Sequence, residues 1–363
     1  MIKKDFKILF AGGGTGGHLF SGIAVAEEIR RHYPEAKVLF VGTSLGLETE
    51  IVPKAGFPLK LIQASPLKGS GILLRMKSLL RLPQAYLQSK KILREFRPDV
   101  VIGIGGYASG PMTLAAHFQK IFTAIIEQNA YPGFTNRRLA RYVDRVFISF
   151  AKAQEFFDPR KTVFTGNPVR LFPPETGQNT QDRFTVFVMG GSQGAHALNR
   201  SMIEALPYLK DSASRLHFIH QTGKNDLAQV KAAYASGGFS TEVFAFDDKL
   251  GWAYARADLA LCRAGAGTIT ELAIHGLPAV LVPYPYAADD HQLYNAKAMA
   301  DGGAAELILN KDLNGAAAAE RILHYLNHPA LLQEMAEKAA LLAKPNAAQD
   351  VLNHCLLASA DAR

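Results

Sequence analysis

Cysteine is nearly absent from this chain. It holds two in 363 residues, Cys262 and Cys355, at no metal-ligand spacing. That excludes a disulfide framework and favours a reducing cytoplasm. Long apolar runs are missing too. The best candidate, residues 277–288, is broken by Pro278, Pro283 and Pro285, so no membrane span is expected and the protein should be soluble or peripheral. The first residues, Met1-Ile2-Lys3-Lys4-Asp5, run straight into a strand-like segment and do not read as a signal peptide. No Asp-x-Asp occurs anywhere. Asp289 and Asp290 are adjacent, but catalysis is expected to need no metal.

What is present is ordinary globular composition, 48% hydrophobic and 20% charged. The length suits two α/β domains better than one core. The net charge of +8 is unevenly placed. Residues 1–166 hold 24 Lys and Arg against 12 Asp and Glu, and residues 167–363 hold 16 against 20. The first half should therefore face an acidic partner: nucleic acid, a membrane surface or a phosphorylated substrate. A basic solvated surface is the plain alternative.

Short β-rich runs alternate with longer amphipathic stretches. In the first half they are FKILFA (6–11), VLFVG (38–42), DVVIG (99–103), TAIIE (123–127) and RVFIS (145–149). In the second they are FTVFVM (184–189), LHFIHQ (216–221), LALCR (259–263) and AVLVPY (279–284). Runs buried on both faces and separated by helical segments predict parallel sheets. The polar stretch from Pro173 to Asp182 reads as a linker. The halves also echo each other. FKILFA leads into GGGTGGH (12–18), and FTVFVM leads into GGSQGAH (190–196). Two such units predict two Gly-rich loops at the carboxyl ends of parallel strands, facing one cleft.

Gly-rich turns bring a backbone close to a ligand and aim N–H groups at an anion. GGGTGGH lacks the Lys-Ser/Thr of a Walker loop. It resembles the dinucleotide fingerprint without matching it, because the acidic residue near the required distance, Glu35, precedes the second strand. His18 is either a polar helix-entry residue or a general base titrating near neutral pH. The richest segment is CRAGAGTITELAIHGLPAVLVPYPYAADDHQLYNA (262–296). A strand ends at Arg263, and a helix is predicted to start near Thr268. The N–H groups of Ala266, Gly267 and Thr268 would then be free for a diphosphate. Glu271, one turn on, suits a neutral diol such as ribose, or caps the helix in a box with Thr268. Gln292 is placed to reach a sugar hydroxyl.

GGGTGGH, GIGGYASGP (103–111), EQN (127–129), GNPVR (166–170), GGSQGA (190–195) and the 262–296 segment occur in one order and spacing. In this the chain resembles the peptidoglycan N-acetylglucosaminyltransferase family over nearly its whole length. The resemblance implies a GT-B fold of two Rossmann-like parallel-sheet domains. Residues 1–165 would form an acceptor and membrane-facing domain, 166–340 a donor domain, and 341–363 a helix crossing back to the first. It implies inverting transfer of GlcNAc from UDP-GlcNAc to the C4 hydroxyl of MurNAc-pentapeptide-pyrophosphoryl-undecaprenol (lipid I). It further implies no cofactor, no nucleic-acid partner, contact with other cell-wall synthesis proteins, and a peripheral place on an anionic membrane at its cytoplasmic face.

Carried over by position, the implied donor contacts are Thr15, Gly16, Gly17, Asn129, Arg170, Ser192, Phe246, Gln292 and the run Ala266, Gly267, Thr268, Ile269, Thr270 and Glu271. His18 and Glu127 match positions implied in acceptor activation, and Tyr107 lies in an acceptor-facing loop. Ser21 stands where the family usually has Pro, Ile126 where it commonly has His, and Phe246 where it often has a smaller aliphatic residue. Two other activities share the two-domain architecture: a transferase acting on another lipid, and a UDP-GlcNAc epimerase. A binding protein without catalysis is the third alternative. Segment 68–97 is strongly basic, with Arg75, Lys77 and Arg81 beside an apolar stripe of Ile72, Leu73, Met76, Leu79 and Leu80. It reads as a peripheral membrane patch, or as a helix packed on the sheet with a solvated basic face.

Overall fold

The computed structural model describes residues 5–14, 16–64, 72–170, 183–191, 194–247 and 249–361, with backbone alone at 72–80 and 359–361. The linker expected at 173–182 lies outside the described residues. The chain divides into two compact units, Met1–Arg170 with Pro345–Arg363, and Leu171–Lys344.

Among the described residues, the first unit holds seven strands: β1 (Lys7–Gly12), β2 (Lys37–Gly42), β3 (Leu59–Leu61), β4 (Val100–Gly105), β5 (Phe122–Glu127), β6 (Arg145–Ile148) and β7 (Thr162–Phe164). They pair in the order β3-β2-β1-β4-β5-β6-β7, and every pairing is parallel. The second unit holds β8 (Phe184–Met189), β9 (Leu216–Gln221), β10 (Ser240–Phe244), β11 (Leu259–Cys262), β12 (Ala279–Leu281) and β13 (Glu306–Leu307). Their order is β10-β9-β8-β11-β12-β13, again all parallel. Counted from its own first strand, each sheet follows the doubly wound order 3-2-1-4-5-6. The echo between the halves is thus an echo of topology.

The apolar runs mark β1, β2, β4, β5, β6, β8, β9, β11 and β12. They miss β3, β7, β10 and β13, which are the four sheet edges. An edge strand has one neighbour and little cover, so it carries no continuous apolar run. β3 and β7 each include an exposed residue, and β10 and β13 are only half-buried throughout. The interior strands are the reverse, with Ile8, Leu9, Phe10, Val100, Val101 and Ile102 wholly buried. Phe10 stacks on Phe40 of β2 with ring centroids 5.0 Å apart. The C-terminal helix Ala347–Asp361 completes this core, where Val351, Leu352 and Cys355 join Ile8, Phe10 and Ile23. Ile126 also points into this core, so the residue that replaces the common His serves packing.

In each sheet the strand order reverses at one point, between β1 and β4 and between β8 and β11. Loops leaving the carboxyl ends of such strand pairs diverge, and the gap between them receives ligands in open α/β sheets. Phe10→Ala removes a fully buried ring beside the first of these points. It is expected to destabilise the first unit by about 3–5 kcal/mol, read as a lowered urea midpoint by circular dichroism.

Candidate functional site

At the first switch point, β1 runs into Gly12, Gly13 and Gly14, all at positive φ. Helix Gly16–His32 follows at once. The loop after β4 meets it backbone to backbone: Gly13 N donates to Gly105 O at 3.1 Å, and a Cβ at Gly12 would overlap that carbonyl. The half-buried His18 imidazole lies over Gly105, where a Cβ would sit 2.9 Å from His18 Cδ2. Tyr107, one residue past Gly106, is 40% exposed. Ser21 is buried, and its hydroxyl donates to Gly17 O at 3.1 Å and Asn167 Oδ1 at 2.9 Å. The helix begins at Gly16 all the same, and the hydroxyl that Pro would lack ties it to the Gly166 turn.

The carboxylate that a dinucleotide site needs near the end of the second strand is present, but it is occupied otherwise. Glu48, after β2, is 1% exposed. It accepts from Gly14 N at 2.9 Å, Thr43 N at 2.8 Å and Thr43 Oγ1 at 2.9 Å. It therefore braces the Gly-rich loop from inside and is closed to a ribose. The sequence pattern did not single out Glu48. The available cue was a Gly-Thr-rich turn ending in Glu directly after a strand.

Glu127 departs from what a proton acceptor requires. It is 1% exposed at the end of β5. One oxygen accepts from Asn129 N at 2.9 Å and Asn129 Nδ2 at 3.3 Å. The other accepts from Gly133 N at 3.0 Å and Asn136 Nδ2 at 2.9 Å. Burial pushes its carboxyl upward, against the pull of these donors. Both oxygens are in use, so Glu127 anchors the Asn129–Gly133 turn and presents Asn129. Arg170 belongs to the first unit, where its guanidinium pairs with Glu27 at 2.9 Å.

The second switch point carries its own helix start. β11 ends at Cys262, and helix Ala266–His275 starts behind Gly265 with no side-chain cap. The helix begins earlier than Thr268, which excludes the Thr268–Glu271 capping box: Thr268 is already in the first turn. Ala266, Gly267 and Thr268 head the helix, and Ile269 N is the first amide returned to the backbone, at 3.0 Å from Gly265 O. Ile269 is also buried in the core. It has neither a free amide nor an exposed side chain to offer a ligand. Thr270 Oγ1 donates to Ala266 O at 2.8 Å.

Glu271 is half-buried one turn further on. It accepts from Tyr254 Oη at 2.7 Å through one oxygen. Burial pushes its carboxyl up to about 7, opposed by the Tyr254 bond. Tyr254 stacks on His275 with centroids 5.2 Å apart, which fixes it. Gln292 Oε1 accepts from Ala264 N at 3.2 Å and Tyr284 N at 3.0 Å. It joins the loops after β11 and β12 and leaves its amide NH2 to donate. The β8 loop is joined to the β10 loop by the buried Gln221, which donates to Gly191 O at 3.2 Å and accepts from Asp247 N at 3.2 Å. Phe246, beside Asp247, is 50% exposed. Tyr254 and Gln221 carry no signal in the sequence because their roles come from contacts between separate elements. Thr15 and Ser192 lie outside the described residues.

Two doubly wound sheets with an uncapped helix terminus, a raised carboxyl and a free amide at one switch point suit a nucleotide diphosphate. The family models give the class, a glycosyltransferase. The glycosyltransferase family 28 N-terminal domain matches residues 8–148, and the glycosyltransferase family 28 C-terminal domain matches residues 185–351. The chain is 47% identical over 353 residues to the UDP-N-acetylglucosamine--N-acetylmuramyl-(pentapeptide) pyrophosphoryl-undecaprenol N-acetylglucosamine transferase of Syntrophus aciditrophicus, covering 96% of this chain and 98% of the relative. It is 48% identical to the enzyme of that name from Myxococcus xanthus, covering 96% and 92%. The crystal structure of Acinetobacter baumannii MurG aligns with a TM-score of 0.80 at 32% identity over 96% of this chain and 99% of that one. A UDP-GlcNAc 2-epimerase from Neisseria meningitidis aligns with a TM-score of 0.67 over 97% and 100%, but at 15% identity it shares the fold alone. The chain belongs to the MurG family of glycosyltransferases, with the GT-B fold.

Glu271 carries a checkable titration. Its folded value of about 7 lies above the ordinary 4.5. Folding therefore favours the protonated form, and the stability it confers is complete below 4.5 and lost as pH rises through 7. Carboxyl NMR is expected to show a group titrating near 7 that disappears in Glu271→Gln and rises further in Tyr254→Phe. That glutamine variant should gain thermal stability relative to the parent between pH 5 and 8.

Proposed function

We propose that this chain transfers GlcNAc from UDP-GlcNAc to the C4 hydroxyl of MurNAc-pentapeptide-pyrophosphoryl-undecaprenol, with inversion, to give lipid II. Family membership supports the reaction. The observation that carries the division of labour is the contrast between the braced β1 loop and the helix start after β11. The amides of Ala266, Gly267 and Thr268 stand uncapped at a positive helix end, which favours a diphosphate. In the first loop the buried Glu48 carboxylate already takes Gly14 N–H and disfavours an anion there. The donor nucleotide therefore belongs to the second unit, and a neutral acceptor hydroxyl to the first.

In this reading Glu271 holds the ribose diol through the oxygen that Tyr254 leaves free. Gln292 donates its amide to GlcNAc hydroxyls, and Phe246 covers the uracil. Ser192 adds to these donor contacts, whereas Thr15, Gly16, Gly17, Asn129 and Arg170, also implied by the resemblance, belong to the first unit. Tyr107 faces the acceptor. His18 takes the proton as the C4 oxygen attacks C1, while UDP leaves with the bonding electrons toward the Ala266 helix end. Glu127 acts by holding Asn129. Stabilisation of the leaving diphosphate by helix amides gives the reaction no need of a metal or cofactor.

Radiolabelled transfer from UDP-GlcNAc to a lipid I analogue tests the whole reading, and product should form equally in excess EDTA. Epimerised UDP-sugar without transfer would refute it. Glu271→Ala should weaken UDP binding by about 1.5–3 kcal/mol with acceptor KM unchanged. His18→Ala should lower kcat by about 10²–10⁴ and keep UDP affinity.

In this reading the enzyme works at the cytoplasmic face of the membrane, beside other wall-synthesis proteins, and a lipid-anchored acceptor supports a place at the membrane surface. Among the described residues no helix is long and apolar enough to cross a bilayer. The charge excess of the first half supports peripheral attachment, and helix Ile72–Phe96 is its basic element. The Arg75 and Lys77 side chains lie outside the described residues; Arg81 is exposed. Each basic residue near an anionic leaflet contributes about 1 kcal/mol, screened by salt. Sedimentation with phosphatidylglycerol vesicles is expected to fall steeply with added salt, and to vanish when Arg75, Lys77 and Arg81 are all replaced by Glu. Undiminished binding of that triple variant would move the membrane face elsewhere.

A further inference from the structure

The proposed mechanism gives Glu48 no chemical step, yet the first Gly-rich loop is built around it. Its carboxylate is the point where three segments meet. Oε2 receives Gly14 N–H, and Oε1 receives both the N–H and the hydroxyl of Thr43. A Cβ at Gly13, Gly42 or Gly46 would overlap the Glu48 side chain, so three glycines form a close-fitting sleeve around it. The anchor beneath is rigid. Glu48 opens helix Glu48–Lys54, whose Val52 is wholly buried and whose Ile51 packs on the same core.

The loop is thus gripped on both sides. Gly105 O holds Gly13 N, and Glu48 holds Gly14 N. Immediately after these two residues the chain enters helix Gly16–His32, and the first turn of that helix carries His18, whose ring rests on Gly105. A shift at Gly14 reaches the imidazole through its neighbour Gly13, which is bonded to Gly105, the residue the His18 ring lies over.

We propose that Glu48 is a positioning residue for the transfer reaction, fixing the first Gly-rich loop so that His18 is held at the acceptor hydroxyl. The proposal rests on the reading of His18 as the base. Glu48→Gln keeps the size but turns one acceptor oxygen into an NH2 group facing Gly14 N–H or Thr43 N–H. Two donors then oppose each other, and the loop must move.

The test is steady-state transfer to a lipid I analogue, with UDP affinity measured by calorimetry, for Glu48→Gln, His18→Ala and the double variant. Glu48→Gln should lower kcat by about 10- to 100-fold while UDP affinity stays within about twofold. In the His18→Ala background it should add about twofold or less, because Glu48 acts through His18. A merely structural role predicts the opposite, a full multiplicative loss in the double variant, and that result overturns the proposal. So does parental kcat in folded Glu48→Gln, or a kcat loss matched by lost UDP affinity. If Glu48→Gln does not fold, Thr43→Val takes its place. It removes one of the three hydrogen bonds to the carboxylate and should cost about threefold or more in kcat at unchanged UDP affinity; unchanged kcat overturns the proposal. Parental kcat in His18→Ala alone refutes the base reading instead. Glu48 then stands or falls on its own kcat at unchanged UDP affinity.

Discussion

Backbone N–H groups at the carboxyl ends of parallel strands have no sheet partner, and where strand order reverses the loops that carry them draw apart. Something must meet those donors. Both units of this protein have such a point, between β1 and β4 and between β8 and β11, and nearly everything functional depends on how each one meets the demand. The first unit does so internally. Gly13 N finds Gly105 O, and Gly14 N finds Glu48. The second leaves the head of helix Ala266–His275 without a side-chain cap.

In the proposed reading the contrast between the β1 loop and the helix after β11 divides the charge. A loop already holding a buried carboxylate is a poor seat for phosphate. An uncapped helix start is a favourable one, with the dipole adding to three converging donors. Glu271 fits beside a diphosphate because of its setting. Burial lifts its carboxyl to about 7, and Tyr254 occupies one oxygen. A diol that hydrogen-bonds the carboxylate favours its charged form. Gln292 and Gln221 do comparable work without charge, each tying two loops together and so turning separate βα turns into one surface.

Glu127 shows how tertiary contacts bear on a motif. The EQN block ends β5, and its glutamate was expected to help activate the acceptor. Yet four hydrogen bonds to two oxygens make Glu127 the anchor of a turn. Only its neighbours, Asn129 among them, remain placed for a substrate. Ile269 is a similar case: within a run of six neighbouring site candidates, helical periodicity turns this one into the core.

The sequence alone determined the interior strands, the repeat of strand, Gly-rich loop and helix, and the amides of Ala266, Gly267 and Thr268, because apolar runs and glycine spacing are local. It did not mark β3, β7, β10 and β13, because edge strands are half-solvated and carry no apolar run. Only the tertiary structure brought Glu48 to Gly14 and Tyr254 to Glu271. It also filled both oxygens of Glu127 with donors. These are tertiary contacts that chain spacing does not encode. They decide which carboxyl is braced, which is raised and which is left to meet a ligand.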